Sequence, residues 1–239
     1  MQKPLPKIPA LSTEQMKIVD RLMVEEFGIE LIQMMENAGC NLAELARRLS
    51  GGSVLGKSII VLCGTGNNGG GGMVAARYLH NWGAQVQAVL IGDVAQLKKV
   101  PTRQWMIVEK MRLNRIAPDF NLANLILDAL LDYGAKGDPR PPLSDWIERA
   151  NTLGIHILSL DSPSGLDTTT GRPGKPCIRA TTTLTLALPK AGLLVPHAKP
   201  CVGELYLADI GVPPELYADS SLGFKVDSLF AQDSIVRVE

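Results

Sequence analysis

The sequence predicts an α/β protein, a Rossmann-like three-layer α/β/α sandwich around a mostly parallel central sheet. Three observations carry that prediction. Short apolar runs alternate with helix-length amphipathic stretches over residues 58–160, the order that builds a parallel sheet covered on both faces. The segment SIIVLCGTGNNGGGGMVAARYLHNWGAQVQAVL reads as strand, glycine-rich turn, helix and second strand, a unit that points backbone N–H groups at an anion. A chain of 239 residues, 46% hydrophobic and 20% charged, can bury a substantial core. With no repeat, low-complexity tract or linker to divide it, one domain over 1–239 is the economical count.

The elements follow in order. After a proline-bearing lead, MQKPLPKIPA, Ser12 reads as an N-cap with Gln15 three residues on, followed by Met16, Val19, Leu22 and Met23 at helical intervals. A second helix starts near Gly28, carries the stripe Leu31, Met34, Met35, Leu42, Leu45 and Ala46, and stops at Gly51-Gly52; its methionines read as core packing. Then come a strand over 59–62, a helix over 73–82, a strand over 86–91, a helix over 102–113, a strand over 125–131, a helix over 143–153 and a strand over 155–160. Two β-rich stretches, 181–188 and 204–210, have no long helix between them and extend the sheet at one edge.

Composition narrows the function. Twenty-four basic residues meet twenty-four acidic ones, so there is no electrostatic footprint for nucleic acid or an anionic membrane, and a phosphorylated ligand must be held by local devices. Cys40, Cys63, Cys177 and Cys201 lie far apart with no C-x-x-C, which argues against a zinc cluster or a disulfide framework and for a reduced, cytoplasmic compartment. His80, His156 and His197 have no metal-ligand spacing. The lead lacks an apolar signal core and the richest apolar run, LTLALPKAGLLVP, is broken by Pro189 and Lys190, so no membrane span is expected.

In doubly wound sheets ligands sit beyond the carboxyl ends of the strands, so the polar residues that end the apolar runs matter most. One run leads to Asn67 and Asn68. A second carries Asp128 and a loop rich in Gly, Lys and Asp; a third ends in Asp161, with Ser162, Ser164 and Asp167 behind it. Oxygen-bearing groups gathered at one sheet edge can hold a hard cation and orient a polar ligand. Each has a plainer reading: Asp128 as a turn cap, Asp161 as an Asx-type turn, Lys136 as a solvated loop lysine and His156 as a strand start. Gly64, Gly66 and Gly69 also match G-x-G-x-x-G, and Asp93 falls roughly where a ribose-binding acid would, which keeps a dinucleotide-dependent oxidoreductase open.

Taken together, LSTEQMKIVDRLM, LIQMMENAG, GTGNNGGGGMVAARYL, LDALLDYGAKGD, LSLDSPSGLDTTTG, TLTLALPKAGLL and GELYLADIGVP resemble the NAD(P)H-hydrate epimerases, the YjeF N-terminal domain family, over nearly the whole chain. The resemblance implies an enzyme that interconverts the R and S epimers of hydrated NADH and NADPH, so that a dehydratase specific for the S form can repair both. It implies a potassium ion on Asn68, Asp128 and Ser164. Substrate contacts would come from Asn67, Asn68, Gly69, Gly70 and Gly71, from the loop Asp132, Tyr133, Gly134, Ala135, Lys136, Gly137 and Asp138, and from Asp161. It also implies a homodimer, functionally coupled to an ADP- or ATP-dependent dehydratase. Many bacterial relatives carry that dehydratase in the same chain; 239 residues leave no room for it, so the chain is expected to be either free-standing or an excised portion of such a fusion.

Inverting a hydroxyl-bearing carbon beside a ring nitrogen requires loss of hydroxide to an iminium-like cation or reversible ring opening. Either route needs proton transfer and stabilisation of positive charge, and a carboxylate serves both. Asp161 is the expected acid-base group, with Lys136 positioning phosphate or hydroxyl. One departure stands out. The family reads N-N-G-G-D-G, whereas this chain has Gly71 in place of the aspartate and Asp132 where the second loop carries glycine. The paired exchange suggests that Asp132 restores the carboxylate; the alternative is a non-catalytic nucleotide-binding module on the same scaffold.

Overall fold

The computed structural model describes residues 8–238; the start of the proline-bearing lead, residues 1–7, lies outside them. Strands β1 (Ser58–Cys63), β2 (Gln85–Leu90), β3 (Leu125–Ala129), β4 (Ile157–Leu160), β5 (Thr182–Leu186), β6 (Glu204–Ala208) and β7 (Ile235–Val238) form one sheet in the order β2-β1-β3-β4-β5-β6-β7. All neighbours are parallel except β6 and β7. The two β-rich stretches extend the sheet as expected, and the antiparallel β7 is an addition that the sequence reading lacked.

The helices are α1 (Thr13–Glu25), α2 (Leu31–Leu49), α3 (Asn67–Asn81), α4 (Lys99–Lys110), α5 (Leu143–Thr152) and two single-turn pieces, α6 (Lys199–Val202) and α7 (Pro214–Tyr217). The capping box at α1 is as read: the Gln15 N–H donates to Ser12 Oγ at 3.2 Å and the Ser12 N–H donates to Gln15 Oε1 at 2.8 Å. Alternate side chains of β1 serve opposite layers, as a period of two demands. Ile59, Val61 and Cys63 pack with residues of α2, α3 and α4, while Ile60 and Leu62 pack with Ile147 and Ala150 of α5. Among the described residues no helix is long and apolar enough to cross a membrane, and the four cysteines are free thiols.

One expectation needs correction. The glycines Gly69 to Gly72 do not make a turn; they are helical, because α3 starts at Asn67, six residues earlier than the apolar periodicity indicated. Glycine is a weak helix former, roughly 1 kcal/mol worse than alanine, so packing overrides propensity. A Cβ on Gly69 would sit 1.9 Å from the Gly64 carbonyl oxygen, and one on Gly72 would sit 2.7 Å from Ala129 Cβ. Only a bare backbone lets α3 lie this close to the ends of β1 and β3. That end is also the switch point, because β1 has β2 on one side and β3 on the other.

Candidate active site

The N-cap of α3 is Gly66, which has no side chain to offer the orphan N–H groups of the first turn. Asp132, in the loop after β3, supplies it from outside: its Oδ1 accepts the Asn68 N–H at 2.6 Å. The Asn68 amide then donates to the carbonyls of Leu131 at 2.9 Å and Leu160 at 3.1 Å. Helix start and two strand ends are thereby stitched together.

Asp128 on β3 is completely buried. It accepts from Ser159 Oγ at 2.7 Å, the Ser164 N–H at 2.9 Å, Ser164 Oγ at 2.6 Å and the Leu130 N–H at 3.3 Å. Burial pushes its carboxyl up, and the hydrogen bonds from Ser164, Ser159 and Leu130 oppose this. Ser164 Oγ in turn accepts the Leu131 N–H at 3.0 Å. Asn68, Asp128 and Ser164 are therefore joined through Leu131 in one knot. No cationic side chain pairs with Asp128 among the described residues.

Asp161 follows β4 directly. It has φ +64°, a left-handed conformation rare for a residue with a Cβ, and its N–H donates to the Leu184 carbonyl at 2.7 Å. Its Oδ1 accepts from the Lys190 ammonium and from the Leu186 N–H at 3.2 Å. Lys190 has no exposed surface; it also donates to the Leu186 carbonyl at 3.1 Å and lies 5.7 Å from the Tyr133 ring centroid. A strap from the N-terminal segment fixes that lysine, since the Leu11 N–H donates to Pro189 O at 2.8 Å and the Ala191 N–H donates to Leu11 O at 2.9 Å.

Asn68, Asp132, Asp161 and Lys190 line one cavity of about 280 Å³. Met16, Leu31, Met34, Met35, Leu186 and Ile210 give it an apolar side, and Asp20, Asn67, Asn68, Asp132, Tyr133, Asp161 and Lys190 a polar one. Two half-exposed lysines complete the lining: Lys17, paired with Glu14 at 2.8 Å, and Lys98, 3.7 Å from Asp132. An apolar pocket with a few convergent polar groups is what a small-molecule site requires. Asp20, on α1, accepts the Tyr133 hydroxyl at 2.7 Å. Asn67 Oδ1 is buried without a partner.

Of the residues expected from sequence, Asn67, Asn68, Gly71, Asp132, Tyr133, Gly134 and Asp161 line this cavity. Ala135, Gly137 and Asp138 line a second one of about 180 Å³ that shares the Asp132 wall. Gly69 and Gly70 are buried in α3, and Asp128 and Ser164 are buried outside the lining. Lys136 is exposed and belongs to neither lining, so the structure does not bring it to Asp161. Asp93 caps a 3-10 turn, accepting the Ala95 N–H at 2.8 Å, and is no part of the cavity. Gly71 and Asp132 do share the cavity, but Asp132 Oδ1 is engaged by Asn68. A Cβ at Gly71 would meet Leu160 Cδ2 at 2.7 Å.

Sequence reading missed Lys190 and Asp20. The signal for Lys190 is a lysine inside an apolar run. For Asp20 it is a carboxylate one helical turn beyond Met16, beside the buried stripe of α1.

Comparisons with known proteins give the chain relatives over most of its length. Residues 31–192 match the family model described as YjeF-related protein N-terminus. An NAD(P)H-hydrate epimerase of Dehalogenimonas lykanthroporepellens is 42% identical over 218 residues, 90% of this chain and 87% of that protein. A bifunctional NAD(P)H-hydrate repair enzyme of Moorella thermoacetica is 36% identical over 87% of this chain but only 41% of its own length. A crystal structure of the yeast protein ynu0 superposes with a TM-score of 0.81 at 22% identity, covering 97% of this chain and all of that one; it attests the fold.

Proposed function

Since the chain belongs to the YjeF-related N-terminal family, we propose that it interconverts the R and S epimers of hydrated NADH and NADPH in nicotinamide nucleotide repair. The observation that carries this reading is the Asp161–Lys190 pair in the cavity wall at the switch point. Oδ1 of Asp161 is occupied by Lys190 and Leu186, and among the described residues Oδ2 has no protein partner. The carboxylate is therefore held rigidly on one side and open on the other. A fixed negative charge beside the reacting carbon stabilises an iminium-like cation as it forms, without reorganising at that moment.

A cavity of about 280 Å³ takes a ring-sized group, so the hydrated nicotinamide ring enters it while the pyrophosphate stays near Lys17 and Lys98. The apolar side made by α1 and α2 limits water, which keeps the electrostatic effect strong. Lys136, exposed in the outer loop, is assigned to phosphate contact rather than to proton transfer.

The knot of Asn68, Asp128 and Ser164 fits a hard cation in its chemistry. The donors are all oxygen, there is a single buried carboxylate with no cationic partner, and the neighbouring Asn67 Oδ1 lacks a donor. Potassium bound there would neutralise the buried charge and lock the loops that carry Asn68 and Ser164. The protein acts as a cytoplasmic homodimer and feeds the S form to an ADP- or ATP-dependent dehydratase, an arrangement in keeping with the bifunctional repair enzyme among its relatives.

The test is conversion of R-hydrated NADPH, coupled to an S-specific dehydratase, in potassium and in potassium-free buffer. Acceleration over the spontaneous rate, larger with potassium, is expected. Folded protein that does not accelerate conversion would favour the non-catalytic module, for which Gly71 is the motivating departure.

A further inference from the structure

Besides Asp161 the cavity lining holds two further carboxyl groups: Asp132, which caps α3 and lies 3.7 Å from Lys98, and Asp20, whose surroundings differ from both. Asp20 enters from α1, and among the described residues its one side-chain hydrogen bond is from the neutral Tyr133 hydroxyl, at 2.7 Å. Asp161 is bonded by an ammonium, a backbone N–H and, at 3.5 Å, the Thr185 hydroxyl. Asp161 is the partner of a buried cation and Asp132 lies beside Lys98, whereas Asp20 has a neutral donor; carboxyls of one site set apart in this way divide acid from base or charge stabiliser.

We propose that Asp20 is the general acid of the epimerisation, giving its proton to the departing hydroxyl, with Tyr133 holding the carboxyl in position. This rests on the epimerase reading above. The step balances without any other reactant. The protonated carboxyl of Asp20 transfers H⁺ to the hydroxyl oxygen, and the C–O bond breaks with its electron pair leaving on water. The ring-nitrogen lone pair forms the C=N bond, and the Asp161 carboxylate balances the positive charge. Water then adds to the opposite face, the C=N pair returns to nitrogen, and the proton this water loses is released to solvent, from which Asp20 is reprotonated. The net change is configuration alone.

The groups facing Asp20 act in both directions. Burial pushes its carboxyl up most; the Tyr133 hydrogen bond and the charge of Lys190 push it down, and Asp161 and Asp132 add to the rise. Lys17 on the same helix also lines the cavity. A carboxylic acid titrating above its ordinary range retains a larger protonated fraction near neutrality, as a general acid requires. A purely structural Asp20 would need only an acceptor for Tyr133, and an asparagine oxygen serves that equally well.

The experiment compares Asp20→Asn and Tyr133→Phe with the wild type, each folded by circular dichroism, across pH and with the spontaneous rate subtracted. Asp20→Asn is expected to lose about 10²- to 10⁴-fold in kcat with little change in KM. In the wild type the rate falls as pH rises through the Asp20 pKa. In Tyr133→Phe that descending limb should move to higher pH, because a hydrogen bond favouring ionisation is gone. Independently of turnover, the ¹³C carboxyl resonance of Asp20 in the ligand-free protein should titrate above 3.8, the ordinary aspartate value. An Asp20→Asn enzyme within threefold of the wild type with the same pH profile overturns the proposal, and so does an Asp20 that titrates at or below 3.8. A wild type with no epimerase activity overturns the parent reading instead, and this proposal with it.

Discussion

Asp128 and Asp161 stand at the carboxyl ends of adjacent parallel strands, and both are buried, yet the fold gives them opposite circumstances. Asp128 is enclosed by four neutral donors and has no cationic partner among the described residues. Asp161 has one oxygen engaged by a buried ammonium and lines an open cavity. Burial therefore does not decide what a carboxyl can do. An acid saturated by hydroxyls and amides can organise loops and complement a cation. One that keeps lone pairs facing a cavity can meet a substrate.

The sharpest way to break this contrast is to neutralise each acid in turn. Asp161→Asn should reduce epimerisation by about 10²- to 10³-fold, whereas Asp128→Asn should act mainly through stability and potassium; equal kinetic defects would erase the distinction. Next in size is Lys190→Met, which leaves Asp161 buried beside no cation and should cost about 3–5 kcal/mol in urea unfolding. The double variant with Asp161→Asn should be less destabilised than the two single losses added together, because the stranded charge is gone.

For Asp128, the expected observation is a rise in Tm when potassium replaces a bulky organic cation, equivalent to about 2.7 kcal/mol at a hundredfold excess over Kd. Asp128→Asn should abolish that rise. The smallest effect concerns Asp132. Asp132→Gly removes an external cap from α3 and should cost about 1 kcal/mol. Unchanged substrate affinity in that variant would identify Asp132 as a cap and dismiss the idea that it stands in for the carboxylate missing at Gly71.

Acidity supplies one more contrast. Asp20 has a folded pKa raised above its unfolded value, so it contributes stability that is full below about 3.8 and is lost as pH rises through the folded value. Asp20→Asn removes that loss. Its Tm relative to the wild type should climb as pH increases from 4 toward 8, and a flat difference would show that Asp20 is not perturbed by burial.

Much of this was legible in the chain and the rest was not, for identifiable reasons. The capping box of α1 and the strand ends at Asp128 and Asp161 are local, so neighbouring residues announce them. The start of α3 was hidden because four glycines argue against a helix, and their justification lies in Gly64, Met35, Leu160 and Ala129 of other elements. β7 is only four residues, IVRV, after a long irregular stretch, and it acquires strand character from pairing with β6. Lys190 pairs with a residue 29 positions earlier, and nothing in LTLALPKAGLLVP says that its lysine is enclosed. Asp20 is similar, since its partner Tyr133 is 113 residues distant.

The pairing of Leu11 with the backbone around Lys190 has a temporal consequence. During translation Leu11 emerges from the ribosome long before Pro189 and Ala191, whose backbone groups it bonds. A growing polypeptide can thus complete β1 to β4 and still have no ammonium beside Asp161. The Asp161–Lys190 pair is assembled late, when the strap at Leu11 meets the segment after β5, and partly synthesised copies lack it.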